Sequence, residues 1–142
     1  METSKKSSVE FNIEGIELLE YSISSPNKKL PDDIQYRFDL NIEHKISIEL
    51  KKIFVIGTFT IINDELKLEL GHAKISCIYG LPAVESYLNK ETKTVELPKD
   101  LTVTLNSISL STCRGVMFAL FRGTFLHNVT LPIIDPTTFT KN

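Results

Sequence analysis

The sequence has no tryptophan, only two cysteines and three histidines, and six glycines among 142 residues. Cys77 and Cys113 lie far apart and in no CxxC or zinc-type spacing, so we expect reduced thiols that pack in the core. No HxH, HExxH or HxxxH spacing joins two histidines, and no glycine cluster is typical of a phosphate-binding loop. Because catalysis and metal binding need converging titratable groups, we predict no catalytic residue, no metal, no cofactor and no enzyme activity.

An excess of one charge and long apolar runs are also absent. Sixteen lysines and arginines are interspersed with 18 acidic residues, which leaves no basic stripe for nucleic acid. The start, Met1 to Ser8, is polar and has no signal-peptide stretch behind it, and no run reaches membrane-spanning length. We expect a cytoplasmic protein without membrane insertion, with a disordered tail over residues 1–8 and a single domain over 9–142.

Apolar residues alternate with polar ones near the start of this domain, which predicts a strand. The alternation over residues 9–23 changes phase at Gly15 and again between Leu18 and Leu19, so we expect this strand to be bent by a bulge. Residues 26–33 contain prolines, lysines and an Asp-Asp pair, which indicates a long crossing loop.

Three further strands follow in the sequence. Residues 34–50 alternate strictly, which predicts a strand with one buried and one solvated face. After a reversal near Lys51, residues 53–62 are apolar on both sides, which favours a central strand and a second covering layer from this chain or a partner. An Asn-Asp pair tolerates positive φ and predicts a tight hairpin into the fourth strand, residues 66–79.

A long helix is predicted after the fourth strand. Residues 84–88 suggest a short helical turn, and Pro98 suits the first turn of a helix that runs to Arg122 and stops at Gly123. Its apolar residues recur every three or four positions. The remaining residues, 124–142, are expected to form an ordered tail across the core. We therefore predict an α+β fold in which a four-stranded antiparallel sheet packs against one long amphipathic helix.

Residues 109–136, which read SLSTCRGVMFALFRGTFLHNVTLPIIDP, resemble the SecB-like export-chaperone family. Members of that family carry a helix with an internal arginine, then an Arg-Gly-Thr-Phe turn, then an apolar Leu-Pro segment. The residues that carry the match are Arg114, Arg122, Gly123, Thr124, Phe125, Leu131 and Pro132. The order of the preceding elements also fits, so the resemblance covers most of the chain.

The resemblance implies dimers that pair into tetramers and hydrophobic grooves that hold unfolded polypeptide without ATP. In the family, acidic sheet residues and a C-terminal tail dock to the SecA motor. This chain stops at Asn142, so we expect a divergent member that lacks the C-terminal helix and tail, and docking to SecA stays open. Service to a single client, such as a toxin–antitoxin partner, or to another secretion route is an alternative.

An ATP-independent chaperone for nonnative polypeptide is the leading hypothesis. The candidate contact residues come from the second strand and from the connection before the helix: Tyr36, Phe38, Leu40, Ile42, Leu81, Val84, Tyr87 and Leu88. For each strand residue an ordinary core position is the alternative, whereas loops carry binding more often. A small-ligand-binding or enzymatic α+β domain is another alternative, which a deep pocket with His44 or Asp39 would favour.

Overall fold

A computed structural model describes residues 10–26 and 29–139. The long elements are β1 Asn12–Ile23, β2 Arg37–Ser47, β3 Lys52–Asn63, β4 Leu68–Gly80 and α1 Lys99–Leu120. Between β4 and α1 lie a 3-10 helix, Val84–Tyr87, and a small hairpin of β5, Leu88–Asn89, and β6, Thr94–Val95. A second 3-10 helix spans Pro136–Phe139. The predicted α+β class is confirmed, while the tail predicted over residues 1–8 lies outside the described residues.

The four long strands form one antiparallel sheet in the order β1-β4-β3-β2. β3 pairs with β2 on one side and with β4 on the other, which confirms the central position that its two apolar faces predict. Phe59 on one face is fully buried beneath α1, while Phe54 on the other face is only partly covered. No helix or strand of the described residues covers this second face, which we call the outer face.

β1 is the bulged strand that the sequence predicts. Its pairing with β4 shifts register between Ile13 and Gly15 and again between Leu18 and Glu20, close to both changes of phase in the apolar pattern. Such bulges interrupt the regular ladder and strengthen the local twist. β2, the opposite edge, pairs with β3 without any shift from Arg37 to Ser47.

Strand β2 is shorter than the predicted segment 34–50. At its end, the amide of Leu50 donates to the side-chain oxygen of Ser47 over 3.1 Å, and the amide of Lys51 donates to the carbonyl of Ile48 over 3.2 Å. These bonds close a turn in which Lys51 has a φ of 57°. The alternating apolar pattern of the sequence therefore extends a few residues beyond the part of the strand that pairs with β3.

The predicted tight hairpin between β3 and β4 was wrong in its detail. The side-chain oxygen of Asn63 accepts a 2.6 Å bond from the amide of Leu66, and its Nδ2 donates to the carbonyl of Gln35 over 2.8 Å. Asn63 is thus buried and caps a longer turn, in which the residue with positive φ is Lys67, at 55°. Asparagine acts here through its side chain rather than through a left-handed backbone.

Helix α1 lies on the face of the sheet formed by β3 and β4. The hydroxyls of Tyr79 on β4 and Ser109 on α1 share a 2.7 Å hydrogen bond inside the core. Cys77 and Cys113 are both free and buried there, as predicted. The hydrogen bond to Cys77 and burial raise the pKa of the Cys113 thiol, which is therefore uncharged and acts as a packing group.

The chain reverses after α1 and returns along the helix. The helix ends at Leu120, two residues before the predicted end, and Gly123 takes the left-handed conformation with a φ of 80°. Leu126, Val129 and Leu131 are buried, which confirms the predicted ordered tail. We call residues 129–139 the strap.

Candidate functional site

Three surface depressions follow one another at one end of the molecule. The central depression has a volume of about 650 Å³ and is lined by Ser25, Pro26, Lys29, Leu30, Pro31, Asp32, Ile34, Tyr36, Phe125 and Asn128. The hairpin depression, about 560 Å³, is lined by Gln35, Tyr36, Arg37, Asn63, Asp64 and Glu65. The helix-end depression, about 380 Å³, is lined by Phe118, Arg122, Gly123, His127 and Asn128.

Shared residues join these depressions. Asn128 lines both the helix-end and the central depression, and Tyr36 lines both the central and the hairpin depression. The three therefore adjoin one another, and we call them together the track. Its middle combines the apolar side chains of Leu30, Ile34 and Phe125 with polar and charged ones.

The crossing loop after β1 builds one wall of the central depression. The amide of Ile34 donates to the carbonyl of Pro31 over 3.3 Å and turns the chain towards β2. Prolines at 26 and 31 fix φ and restrict the loop without giving it a helix or strand. The loop predicted from its turn-forming residues therefore supplies a shaped wall as well as a connection.

The Arg-Gly-Thr-Phe turn builds the opposite wall. The hydroxyl of Thr124 donates to the carbonyl of Phe121 over 2.7 Å, and its oxygen accepts a 3.1 Å bond from the amide of Leu126. With the reversal at Gly123, these bonds fix the turn and direct Phe125 to the track. Part of the sequence motif is therefore part of the candidate site.

Arg114 binds the backbone of the Leu-Pro segment, which is the last part of the motif. Its Nε donates to the carbonyl of Leu131 over 2.8 Å, and a terminal nitrogen donates to the carbonyl of Pro132 over 2.9 Å. An arginine inside the helix thus holds the Leu-Pro segment of the strap by two charge-assisted hydrogen bonds. The sequence alone leaves Arg114 without a role, because its partners are backbone groups 17 and 18 residues away.

Charges are distributed unevenly along the track. Arg37 makes two bonds to Asp64, over 2.8 and 2.9 Å, and a further ion pair with Asp39. The hydrogen bond from Arg37 lowers the pKa of Asp64, and the same bond raises the pKa of Arg37. Within the described parts of the chain, Glu65 and Arg122 make no ion pair.

The structure separates the candidate contact residues into three groups. Tyr36 lies on the track, and Phe38 and Leu40 follow it, half-buried, on the helix-facing side of β2. The connection residues Tyr87 and Leu88 are also half-buried but line none of the three depressions. The fully buried group consists of Ile42, Leu81 and Val84.

Sequence reasoning missed Leu30, Ile34, Phe125 and Asn128 as lining residues. Leu30 is an isolated apolar residue in a polar loop, Ile34 begins the alternating segment of the second strand, and Phe125 follows a helix end, so each has a local structural explanation. The motif could have pointed to Phe125, because it places an aromatic residue directly after a glycine turn.

The geometry expected of a small-ligand or enzymatic site is not found in the track. Neither His44 nor Asp39 lines the three depressions. The Nε2 of His44 lies 2.7 Å from the side-chain oxygen of Asn106, so this histidine is occupied in packing β2 against α1. Over residues 10–26 and 29–139, no group of three or more His, Cys, Asp or Glu could hold a metal.

No helix among the described residues is long and apolar enough to span a membrane. No family model matches the sequence, and no curated protein matches it in sequence.

The four-stranded antiparallel sheet with one long helix is the fold of SecB-like chaperones. The chain is similar in structure to Rv1957, a SecB-like chaperone of Mycobacterium tuberculosis solved in complex with a ChAD peptide from the Rv1956 HigA1 antitoxin. The similarity covers 87% of this chain and 89% of that one, with a TM-score of 0.62 and 12% sequence identity. At this identity the likeness shows a shared fold.

Proposed function

We propose that this protein is an ATP-independent chaperone that binds extended, nonnative polypeptide segments along the track. The observation that carries the proposal is the row of three adjoining depressions, which share Tyr36 and Asn128 and include apolar side chains in the central one. The fold supports it, because the SecB-like neighbour is bound to a peptide. No catalytic step is included in the proposal.

The track suits an extended chain better than a compact ligand. Three adjoining depressions in a row offer separate places for successive side chains of one extended segment, whereas a compact ligand would occupy a single depression. Each buried side chain contributes on the order of 25 cal/mol per Å² of apolar surface removed from water. Neighbouring segments of one client that occupy several such tracks would bind together more tightly than any single segment.

The candidate residues divide into contacts and supports. We propose that Tyr36, Phe38 and Leu40 contact the client directly. Tyr87 and Leu88 form a second patch of candidate contact residues, which lies outside the track. Ile42, Leu81 and Val84 are buried, so their contribution would be to hold the surface in place from beneath.

Suppression of the aggregation of several unfolded substrates tests this function. Binding of a fluorescent apolar peptide, measured by anisotropy, should weaken about tenfold or more in Tyr36→Ala if Tyr36 is a central contact. Tyr87→Ala is the matched control, since it also removes a half-buried tyrosine but lies outside the track. Failure of the parent protein to hold any substrate would contradict the proposal, and equal losses in both variants would contradict the choice of the track.

We also propose that copies of the chain assemble, as dimers or tetramers, through the exposed side of β1. Ile13, Ile16 and Leu18 pair directly with β4 residues that lie under α1, so they point towards the helix layer, yet they remain exposed. Ile108 of α1 is also exposed. We call these four residues the open β1 surface. Large apolar side chains left exposed on one side of an edge strand are available to a protein partner.

A dedicated client is the second candidate function. The observation that favours it is that the SecB-like neighbour is bound to a peptide from an antitoxin. A dedicated chaperone should bind one partner much more tightly than a panel of unrelated unfolded proteins, whereas a general one should bind them with similar affinities. Comparing those affinities separates the two.

An export role would require docking to the SecA motor, which the resemblance links to acidic sheet residues. On β2 the outer face carries Arg37 and Lys45 beside Asp39 and Glu43, and on β1 it carries Glu17 and Glu20. Charge complementarity would steer such docking, and co-purification with the motor would be its test.

A further inference from the structure

We infer that the track selects client segments whose apolar centre is flanked by an acidic residue on one side and a basic residue on the other. The inference rests on the proposed function and names the class of client. The chemistry that recognises such a segment is the opposite charge of the two ends of the track.

The helix-end depression is the basic end. Its lining includes Arg122 and His127, and no acidic residue of the described ranges lines it. Arg122 is exposed, and within the described residues no carboxylate pairs with it. The reversal at Gly123 follows immediately, and Arg122 lines this depression together with the exposed Phe118. A client carboxylate here would meet an uncompensated cation.

The hairpin depression is the acidic end. Its charged lining residues are Arg37, Asp64 and Glu65. The guanidinium of Arg37 already binds Asp64 and Asp39, so it offers little attraction to a client carboxylate. Glu65 has no ion-pair partner in the described residues and leaves this end with one uncompensated negative charge.

Among the described residues, the charged groups that line the centre of the track are Lys29 and Asp32, which have opposite signs. The potential therefore changes sign along the track, from positive at Arg122 to negative at Glu65. Complementary charges at an interface fix register and discriminate between partners more than they add affinity.

Four peptides with the same apolar centre test this inference. They carry at their two ends one acid and one base, two acids, two bases, or neutral residues, and their affinities are measured by fluorescence anisotropy at low salt. The mixed peptide should bind about two- to fivefold more tightly than the neutral one, the range of exposed ion pairs. The difference should disappear at high salt, because exposed charges are screened.

Charge reversal identifies the residues responsible. Arg122→Glu should move the preference to the two-base peptide, and the double variant Arg122→Glu with Glu65→Lys should restore the preference for the mixed peptide. Lys90→Glu is the control, because it reverses an exposed lysine between β5 and β6, outside the track. Equal affinity for all four peptides would overturn the inference and leave the proposed function standing. Failure to bind any of them would overturn both.

Discussion

The two flanks of α1 face opposite edges of the sheet, and they differ in how far other parts of the chain cover them. Asn106 contacts His44 of β2, so the flank that carries Asn106 and Arg114 faces the β2 edge, and the strap covers it. Ile108 lies about 160° around the helix from Asn106, on the flank that faces β1. The strap, residues 129–139, lies on the other flank, and Ile108 is 37% exposed.

This difference shows where the chain completes its own core and where it does not. On the strap flank, Leu131 is 2% exposed and its carbonyl is held by Arg114. On the β1 flank, Ile16 and Leu18 are 49% and 45% exposed although they point towards the helix layer. A single helix is too narrow to cover four strands, and within residues 10–26 and 29–139 the strap adds cover on the β2 flank.

Shortening a buried side chain of the strap should have the largest effect on stability. Leu131→Ala removes a buried side chain and should lower the free energy of unfolding by about 2–4 kcal/mol, because it leaves a cavity beneath the strap. Ile133→Ala is the matched control on the same strap, since Ile133 is 93% exposed and should change stability by less than about 0.5 kcal/mol. Urea unfolding measures both. Equal effects would mean that the strap does not complete the core.

Removal of the arginine that holds the strap should have the next largest effect. Arg114→Ala leaves the carbonyls of Leu131 and Pro132 without their donors and should cost about 1.5–3 kcal/mol. Arg114→Lys keeps the charge but cannot make both bonds in the same fork, so it should recover only part of the loss. Arg122→Ala, which removes an exposed arginine two turns later, should be close to neutral. A neutral Arg114→Ala would show that packing alone holds the strap.

High pH should lower the free energy of unfolding through the core between the two flanks. Burial raises the pKa of Tyr79 to about 12, above its ordinary value of 10. Between pH 10 and 12 the unfolded chain therefore loses the phenolic proton while the folded protein keeps it, so stability falls as pH rises, by about 2 kcal/mol. Unfolding measured over this range checks the slope. The double variant Tyr79→Phe with Ser109→Ala removes both hydroxyls and should remove this contribution.

Much of the sheet could be predicted because its signals are local. The phase changes in β1 fall where the ladder shifts register, and the two apolar faces of β3 identify it as central. The turn after β3 could not be predicted in detail, because its shape depends on Asn63 bonding to Gln35, which is distant in sequence. Local patterns thus predict strands better than they predict how the connections close.

The candidate site was less predictable than the fold, for a physical reason. Leu81 and Val84 are apolar residues in a connection, and burial in the core and exposure in a groove favour the same residue types. Tyr36 and Phe125 meet at the central depression although 89 positions separate them, so only the tertiary packing brings them together. The sequence shows Arg114 as an arginine inside the helix, but only the structure shows that it binds the strap.

Substitution on the open β1 surface should have the smallest effect on stability and a selective effect on assembly. Ile16→Ser with Leu18→Ser removes exposed apolar groups, so at dilution the free energy of unfolding should change by less than about 0.5 kcal/mol per site. If copies assemble here, the variant should be monomeric at concentrations where the parent protein is a dimer or larger, as measured by light scattering or sedimentation. Leu50→Ser, in the turn after β2, removes an equally exposed leucine elsewhere and should leave assembly unchanged. A parent protein that stays monomeric at every concentration would contradict the proposal that a second copy covers the exposed apolar residues of the β1 flank.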